Sequence, residues 1–250
     1  MSSPSLVPVQ DAVILAAGNG DRFKNSPHHS KLLHPVLGQP LILRTLQTAA
    51  DAGIEALNVV LGYEADRVRE TIERHTIPGV TIRFAHNPDW HLENGVSALA
   101  ARPLCDGRRF ALLMGDHLFD PAVLRRLASL PAAADDSLLA VDAGEVLPAI
   151  ADEATKVKLD GDRIIAIGKG LPAWDALDTG MFVFTSALFD ALEEARRAGE
   201  TTLSAAVQRL AARRQMRGVE VAAAPWCDVD TIDDLQAAEL LFCAPEPEHA

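Results

Sequence analysis

The feature of this chain that most constrains its fold is an apolar strand that runs directly into a glycine-containing loop. The run 12–15 (AVIL) is followed at once by small residues, among them Gly18 and Gly20. A short apolar run bounded by glycines is typical of a strand that is covered on both faces of a sheet. Because glycine has no Cβ and adopts positive φ, a ligand can come close to the backbone N–H groups of such a loop, which favour an anion. Arg22 and Lys31 add positive charge, so we predict a nucleotide site here.

Two well-known phosphate loops do not match this segment. A dinucleotide fingerprint would need a third glycine where Phe23 stands. A P-loop would need a Lys-Ser or Lys-Thr pair after its last glycine, and the segment has none at that spacing. A turn without a ligand is the remaining alternative, and the nearby Arg22 and Lys31 argue against it.

Strands and helices alternate along the first half of the chain. The apolar runs 57–61 and 110–114 predict buried strands, and leucines at helical spacing after Pro40 predict a helix. This alternation is typical of an α/β protein with a mostly parallel sheet and helices on both faces. Such sheets bind ligands at the carboxyl ends of their strands. Asp116 directly follows the run 110–114, so we expect it beside the Gly18 loop.

The second half has a partly antiparallel character. The segments 156–159 and 163–167 flank an Asp-Gly-Asp turn, which predicts a β-hairpin. Further strands are predicted at 180–184 and 219–222, and further helices at 186–197, at 203–213 and after Thr231.

The chain has neither an internal repeat nor a clear linker, so we predict one domain over residues 11–243. Its halves are 11–130 and 131–243, preceded by a flexible lead at 1–10 and followed by a disordered tail at 244–250.

Composition excludes several classes of protein. With 23 Lys and Arg against 35 Asp and Glu, the net charge is −12, whereas a nucleic-acid or membrane-surface protein would be basic. The apolar runs are far shorter than the ~18 residues that cross a bilayer, so we expect no membrane insertion. The 3 cysteines share no ligand spacing and read as reduced thiols, so we expect a cytoplasmic location.

Acidic residues near the loop predict a divalent cation. Mg²⁺ is bound in proteins by one or two carboxylates together with phosphate oxygens. Asp116 is the first candidate, and either Asp230 or Asp228 is the second, of which we expect only one to face the site. The alternative role for Asp116 and Asp230 is to cap a helix or stabilise a loop.

These motifs together resemble the sugar-phosphate nucleotidyltransferase superfamily. The set comprises 16–22 (AAGNGDR) with Lys31, then Gly115-Asp116 and 228–231 (DVDT). A narrower set is similar to the CTP:inositol-1-phosphate cytidylyltransferases: 153–158 (EATKVK), 167–171 (IGKGL), 174–176 (WDA), 178–180 (DTG), Asn94-Gly95 with Ser97, and Asp116-His117. The resemblance implies an α/β, single-domain, Rossmann-like nucleotidyltransferase fold. Its mixed, mostly parallel central sheet would be flanked by helices, with a small antiparallel hairpin region, and its two halves would hold the nucleotide and the acceptor.

The resemblance also implies residue roles. Catalysis would depend on Arg22, Lys31, Asp116 and Asp230. The nucleotide would contact Leu15, Ala16, Ala17, Gly18, Gly20, Arg22, Lys31, Asn94, Gly95, Ser97 and Asp116. The acceptor would contact Lys156, Lys169, Asp178, Thr179 and Gly180. Mg²⁺ would be held by Asp116 and Asp230, with Asp228 as the alternative ligand.

The reaction implied is the condensation of CTP with inositol-1-phosphate, a phosphorylated polyol, to CDP-inositol and pyrophosphate. Transfer to phosphocholine, a phosphonate or a sugar-1-phosphate stays open, as does a non-catalytic sugar-nucleotide sensor. Since the family often carries a fused membrane CDP-alcohol phosphotransferase, we expect that downstream partner to be a separate protein, and a homodimer is one option for the assembly. Two residues depart from the superfamily pattern: Ser30 stands where a proline usually precedes the loop lysine, and Asp21 places an acid beside the triphosphate.

Overall fold

The computed structural model describes residues 8–20, 23, 30–105, 107–133, 135–144, 154–221 and 224–243. Arg22, most of the predicted lead and the predicted tail lie outside the described residues. Val9 is buried, and its N–H donates to the Ala128 carbonyl at 3.1 Å. Val9 therefore packs onto the domain, although it lies ahead of the predicted domain start.

The strands are, in chain order, β1 (Asp11–Ala16), β2 (Pro35–Val36), β3 (Gln39–Pro40), β4 (Ala56–Leu61), β5 (Thr81–His86), β6 (Phe110–Met114), β7 (His117–Phe119), β8 (Ser137–Asp142), β9 (Lys156–Asp160), β10 (Arg163–Gly168), β11 (Ala176–Phe184), β12 (Met216–Glu220) and β13 (Trp226–Asp228). The helices are α1 (Leu41–Asp51), α2 (Ala65–Glu73), α3 (Asn94–Ala100), α4 (Pro121–Ser129), α5 (Ala187–Arg197), α6 (Leu203–Ala212) and α7 (Ile232–Cys243). Short 3₁₀ turns lie at Lys31–Leu33 and Arg102–Leu104. Within the described residues, none of these helices combines the length and the apolar character that a membrane span requires.

Nine strands of the described chain form one sheet, in the order β5-β4-β1-β6-β11-β8-β12-β10-β9. The first four pair in parallel throughout. From β11 onward the pairs are antiparallel except for β8 with β12, and the predicted hairpin is formed by β9 and β10. The mixed α/β sheet is therefore confirmed, and its continuous parallel part is the amino-terminal half.

Strand β1 is buried on both faces, and its alternating side chains divide the core into two layers. Ala12, Ile14 and Ala16 pack with residues of α1, α2 and α4. Val13 and Leu15 pack with residues of α3, α5 and α6. Because burial of one such aliphatic side chain stabilises by about 1.5–3 kcal/mol, both layers hold β1 and the loop that follows it in a fixed position.

Helix starts follow the capping chemistry of the sequence. Asp120 accepts a hydrogen bond from the Ala122 N–H at 2.7 Å at the start of α4. At the start of α7, the Thr231 hydroxyl accepts from the Asp234 N–H, and the Asp234 carboxylate accepts from the Thr231 N–H, at 3.1 and 2.7 Å. Asp230 is therefore not needed as the cap, contrary to the alternative raised by its position.

Three features of the structure differ from the sequence predictions. Strand β11 begins at Ala176 rather than at Gly180, because its pairing with β8 continues across an irregularity between Asp178 and Phe182. Strand β12 lies at Met216–Glu220 and so begins three residues earlier than predicted. The short strands β7 and β13 pair antiparallel, which no local pattern predicted.

Candidate active site

The loop after β1 opens into a cleft at the carboxyl edge of the parallel strands. The cleft has a volume of about 430 Å³ and is lined by Leu15, Ala16, Gly18, Asn19, Gly20, Lys31, Leu32, Asp116 and Asp230. Gly20 has φ of 59°, and a Cβ at this position would lie 2.7 Å from the Lys31 Cβ. A side chain at residue 20 would therefore displace the lysine, so the predicted glycine loop and Lys31 form one unit.

The Gly62 backbone supports this loop from strand β4. A Cβ at Gly62 would lie 2.5 Å from the Trp90 Cβ and 2.8 Å from the Ala17 Cβ. The Tyr63 N–H donates to the Ala17 carbonyl at 3.0 Å. Ala17, a predicted nucleotide contact, is thus buried behind the cleft and contacts the backbone directly after β4.

Lys31 is the central charged group of the site. It begins a 3₁₀ turn whose first N–H groups are capped by Ser30, which accepts from the Leu32 N–H at 3.3 Å. Serine thus provides a turn-capping oxygen where the superfamily usually has proline. The Lys31 side chain is only 8% exposed.

The Lys31 ammonium lies between two predicted metal ligands. Its Nζ is 2.6 Å from Asp116 Oδ2 and 2.7 Å from Asp230 Oδ1. Burial alone would lower the pKa of Lys31, but the surrounding carboxylates raise it above its ordinary value. Burial would likewise raise the pKa of Asp116, yet the Lys31 ammonium holds it below its usual range. Lys31 and Asp116 are therefore charged together near neutral pH.

The ribbon formed by β7 and β13 brings a third carboxylate, that of Asp228, to the site. It pairs His117 with Asp228 and places His117 Nε2 at 3.5 Å from Asp228 Oδ1 and 3.9 Å from Asp116 Oδ1. His117 Nδ1 lies 3.0 Å from the Thr179 carbonyl, so both ring nitrogens face acceptors. Burial opposes the charge, but Asp228 and the other acceptors raise the pKa of His117 to about 9. The ring is therefore an imidazolium at neutral pH.

Both Asp228 and Asp230 lie at the site, so the expectation that only one would face it is wrong. Residues two positions apart on an extended segment share a face. Val229, between them, points the other way and is fully buried against the cluster beneath α7. Asp228 contacts His117, whereas Asp230 contacts Lys31.

Two sets of groups in this cluster could hold a metal ion. Ligand atoms of Asp116, His117 and Asp228 all lie within 4.8 Å of one another. Asp116 and Asp230 already share one cation, the Lys31 ammonium, and carboxylate oxygens suit a hard ion such as Mg²⁺. The residues present therefore fit a divalent cation, and Asp116 with Asp230 as its ligands stays a prediction.

The residues predicted to contact the base lie on α3 and contact neighbouring parts of the protein. They are Asn94, Gly95 and Ser97. Asn94 Oδ1 accepts from the Leu203 N–H at 2.9 Å and so caps α6. A Cβ at Gly95 would lie 2.5 Å from the Thr201 carbonyl oxygen. Ser97 Oγ accepts from Asn87 Nδ2 at 3.0 Å. These residues do not line the Lys31 cleft, and their contact with a base stays a prediction.

The predicted acceptor residues divide into two groups. Lys156 and Lys169 lie on the β9–β10 hairpin and just after it, where Lys156 Nζ donates to the Lys169 carbonyl at 2.9 Å. The second group lies on β11 and consists of Asp178, Thr179 and Gly180. His117 connects this group to the acidic cluster, because its ring contacts the Thr179 carbonyl and lies where a Cβ at Gly180 would stand.

Asp178 is a partly buried carboxylate on the cleft side of the molecule. Its Oδ1 accepts from the Gly180 N–H at 2.8 Å. Burial raises the pKa of Asp178 to about 6, although this hydrogen bond and the nearby His117 oppose the rise. A carboxylate kept in such surroundings is a candidate for binding a ligand.

The sequence signals missed the part played by His117 and by the ribbon. In the sequence, the Asp116-His117 pair is only one part of a motif and gives no role to the histidine. The register that brings His117 opposite Asp228 joins segments from opposite halves of the chain. Alternation within either three-residue strand is too short to reveal that pairing.

Comparison with known proteins agrees with this geometry. The chain matches the model of the MobA-like NTP transferase domain over residues 12–216. The bifunctional IPC transferase and DIPP synthase of Rubrobacter xylanophilus is 36% identical over 233 residues, which are 91% of this chain and 51% of that protein. The CMP-5'-(3-aminopropyl)phosphonate synthase of Streptomyces rubellomurinus is 37% identical over 166 residues, which are 66% of this chain and 25% of that protein.

A solved structure, the inositol-1-phosphate CTP transferase from T. maritima, shares the fold. It superposes with a TM-score of 0.84 at 22% identity, covering 95% of this chain and 96% of that chain. The chain spans about half the length of the bifunctional relatives it matches. Since the family model covers most of the sheet together with Lys31 and Asp116, the chain belongs to the MobA-like NTP transferase family, which confirms the predicted relationship to nucleotidyltransferases.

Proposed function

We propose that this protein transfers a cytidylyl group from CTP to inositol-1-phosphate and releases pyrophosphate. The observation that carries the proposal is the Lys31 ammonium held between Asp116 and Asp230 in a cleft lined by the glycine loop. Similarity to the bifunctional IPC transferases over most of the chain supports the choice of nucleotide and acceptor.

The reaction asks for little covalent chemistry from the protein. A phosphate oxygen of the acceptor, already anionic near neutral pH, attacks the α-phosphorus of CTP in line. A new P–O bond forms as the bond to the β-phosphate oxygen breaks, and pyrophosphate leaves with its electron pair. The protein has to align the two substrates and neutralise the charge that develops, without a general base.

Charge neutralisation falls to the groups around Lys31. Lys31, together with Arg22 outside the described residues, would stabilise the negative charge that grows on pyrophosphate. Asp116 and Asp230 would hold Mg²⁺, which supplies further positive charge beside the phosphates when it is bound. A preorganised donor or cation of this kind contributes on the order of 3 kcal/mol to transition-state stabilisation, which is a hundredfold or more in rate.

The acceptor would bind on the β11 side of the cluster. The Asp178 carboxylate can accept hydrogen bonds from polyol hydroxyls, and the Lys156 and Lys169 ammonium groups can bind its phosphate. The ring of His117 joins this side to Asp116 and Asp228.

A second candidate acceptor carries an ammonium group beside its phosphonate. Trp226 lies over the His117 ring with centroids 6.5 Å apart, and its Nε1 donates to Asp142 at 2.8 Å. An aromatic face beside Asp142 and Asp228 would attract a cation. The similarity to the aminopropylphosphonate enzyme of Streptomyces rubellomurinus favours this candidate specifically.

The deciding experiment measures pyrophosphate release from four nucleotides, each paired with inositol-1-phosphate, aminopropylphosphonate, phosphocholine and sugar-1-phosphates, with Mg²⁺ present. We expect release with CTP and inositol-1-phosphate and little with the other pairs. Release only with aminopropylphosphonate would favour the second candidate. Nucleotide binding without release from any pair would contradict both and support a sensor.

A cytoplasmic location, a homodimer and a membrane CDP-alcohol phosphotransferase that consumes the product are part of the same proposal.

A further inference from the structure

Thr45 carries a buried hydroxyl group that lies beneath the turn 115–117, the turn that carries Asp116. It belongs to α1, and its side chain is fully shielded from solvent. Its Oγ1 lies 3.1 Å from the Gly115 carbonyl oxygen and 3.1 Å from the His117 carbonyl oxygen. The helix offers its own acceptor, the Leu41 carbonyl, at the longer distance of 3.3 Å. The hydroxyl is thus directed to the turn at least as closely as to its own helix.

The two carbonyls that Thr45 meets flank Asp116 on either side. The carbonyl of Asp116 itself accepts from the Val229 N–H at 3.2 Å. The single Thr45 O–H proton is shared between the Gly115 and His117 carbonyls, and the Asp116 carbonyl between them is held by the segment that carries Asp230.

The amino side of the turn is fixed against β1. The Gly115 N–H donates to the Leu15 carbonyl at 2.9 Å, and a Cβ at Gly115 would lie 2.9 Å from that same oxygen. The turn thus lies between β1 and α1 with no room to move toward β1. On its other side the turn faces α1, where Ile42 lies close to Gly115 and the Thr45 hydroxyl supplies the polar contact.

We infer that Thr45 is a positioning residue for Asp116. By bridging the carbonyls on both sides, its hydroxyl fixes the backbone from which the Asp116 carboxylate reaches Lys31 and the predicted metal. Thr45 contacts neither substrate nor ion, and the inference rests on the proposed function of the site. A displacement of about 1 Å at a catalytic group can lower a rate about a hundredfold, so a hydroxyl in this place can govern turnover without touching a ligand.

The test compares Thr45→Val, which keeps the shape but removes the hydroxyl, with Thr45→Ser, which keeps the hydroxyl. Pyrophosphate release from CTP and inositol-1-phosphate is followed as Mg²⁺ is varied. For Thr45→Val we expect kcat to fall at least tenfold, the Mg²⁺ concentration for half-maximal rate to rise severalfold, and the KM for CTP to stay within twofold. For Thr45→Ser we expect kcat and the Mg²⁺ requirement to stay within twofold of the wild type.

The matched control is Ala49→Gly, one turn further along α1. It weakens the same helix through helix propensity and touches no carbonyl of the turn. Mn²⁺ binding to the nucleotide-free protein, measured by electron paramagnetic resonance, should weaken in Thr45→Val and not in Ala49→Gly. If Thr45→Val does not fold, Thr45→Ala is measured in its place, with the same shifts expected.

The outcomes separate the inference from the proposed function. A wild-type protein that releases no pyrophosphate from any substrate pair contradicts the proposed function. An active wild type with Thr45→Val indistinguishable from Ala49→Gly in kcat, Mg²⁺ requirement and Mn²⁺ binding overturns the positioning role. Equal losses in Thr45→Ser and Thr45→Val also overturn it, because they would show that the γ-methyl group, rather than the hydroxyl, is what matters.

Discussion

Replacing Asp178 by asparagine should stabilise the protein while impairing use of the acceptor. Burial raises the pKa of Asp178 from 3.8 to about 6, so the folded state binds the proton more tightly than the unfolded chain does. The contribution of this group to stability therefore falls as the pH rises from 3.8 to 6 and stays unfavourable above that window. Asparagine keeps the oxygen that accepts from the Gly180 N–H and removes the charge.

The size of the effect follows from the pKa shift. A shift of roughly two units corresponds to about 3 kcal/mol at 1.36 kcal/mol per unit. Because Asp178 keeps some contact with solvent, we expect Asp178→Asn to gain about 1–2 kcal/mol of unfolding free energy at pH 7.5. Below pH 4 the gain should vanish, since the folded wild type is then already protonated.

The assay is urea denaturation of both proteins at pH 7.5 and near pH 4, with steady-state kinetics in each substrate. We expect the KM for inositol-1-phosphate to rise far more than the KM for CTP. The control is Asp175→Asn on the same segment, where the Leu159 N–H and the Lys158 ammonium hold the pKa of the carboxyl below its ordinary value. That variant should lose stability at pH 7.5. An Asp178→Asn protein that is no more stable than wild type at pH 7.5 would refute the reasoning.

Three further predictions concern the cleft and its supports. Lys31→Ala should lower kcat for pyrophosphate release a hundredfold or more, since it removes the cation shared by two carboxylates, and near-normal turnover would exclude Lys31 from catalysis. Gly62→Ala should lower the free energy of unfolding in urea by about 1–3 kcal/mol and raise the KM for CTP, because the new Cβ would overlap Trp90 and Ala17. His117 has its pKa raised to about 9, so its stabilising charge is fully present below pH 6.5 and is lost as the pH rises through 9. The difference in unfolding free energy between wild type and His117→Gln should therefore shrink from pH 6.5 to pH 10, and a constant difference would contradict an imidazolium at this position.

The amino-terminal half of the fold was predictable because its signals are local. Strand β1 and its glycine loop lie within one short segment, and burial on both faces left a continuous apolar run. The rule that ligands gather at the carboxyl ends of parallel strands then placed Asp116 beside the loop, as observed.

The remaining features of the site depend on contacts between distant segments. The pairing of His117 with Asp228 and the reach of Thr45 from α1 to the 115–117 turn leave no pattern in the residues near them. The motif at Asn94 predicts a ligand contact, which stays a prediction, but no local pattern shows that its side chain also caps α6.

The ion pair between Lys31 and Asp230 has a consequence for the stage of protein synthesis at which the site can be completed. Lys31 emerges early from the ribosome, whereas Asp230 and α7 are among the last described residues of the chain. The amino-terminal sheet can begin to form its parallel pairs before Lys31 has met both carboxylates. A nascent or truncated chain that ends before β13 would therefore carry the glycine loop and Lys31 without Asp228 and Asp230. Under the proposed function, turnover would then report that β13 and α7 have docked onto the sheet.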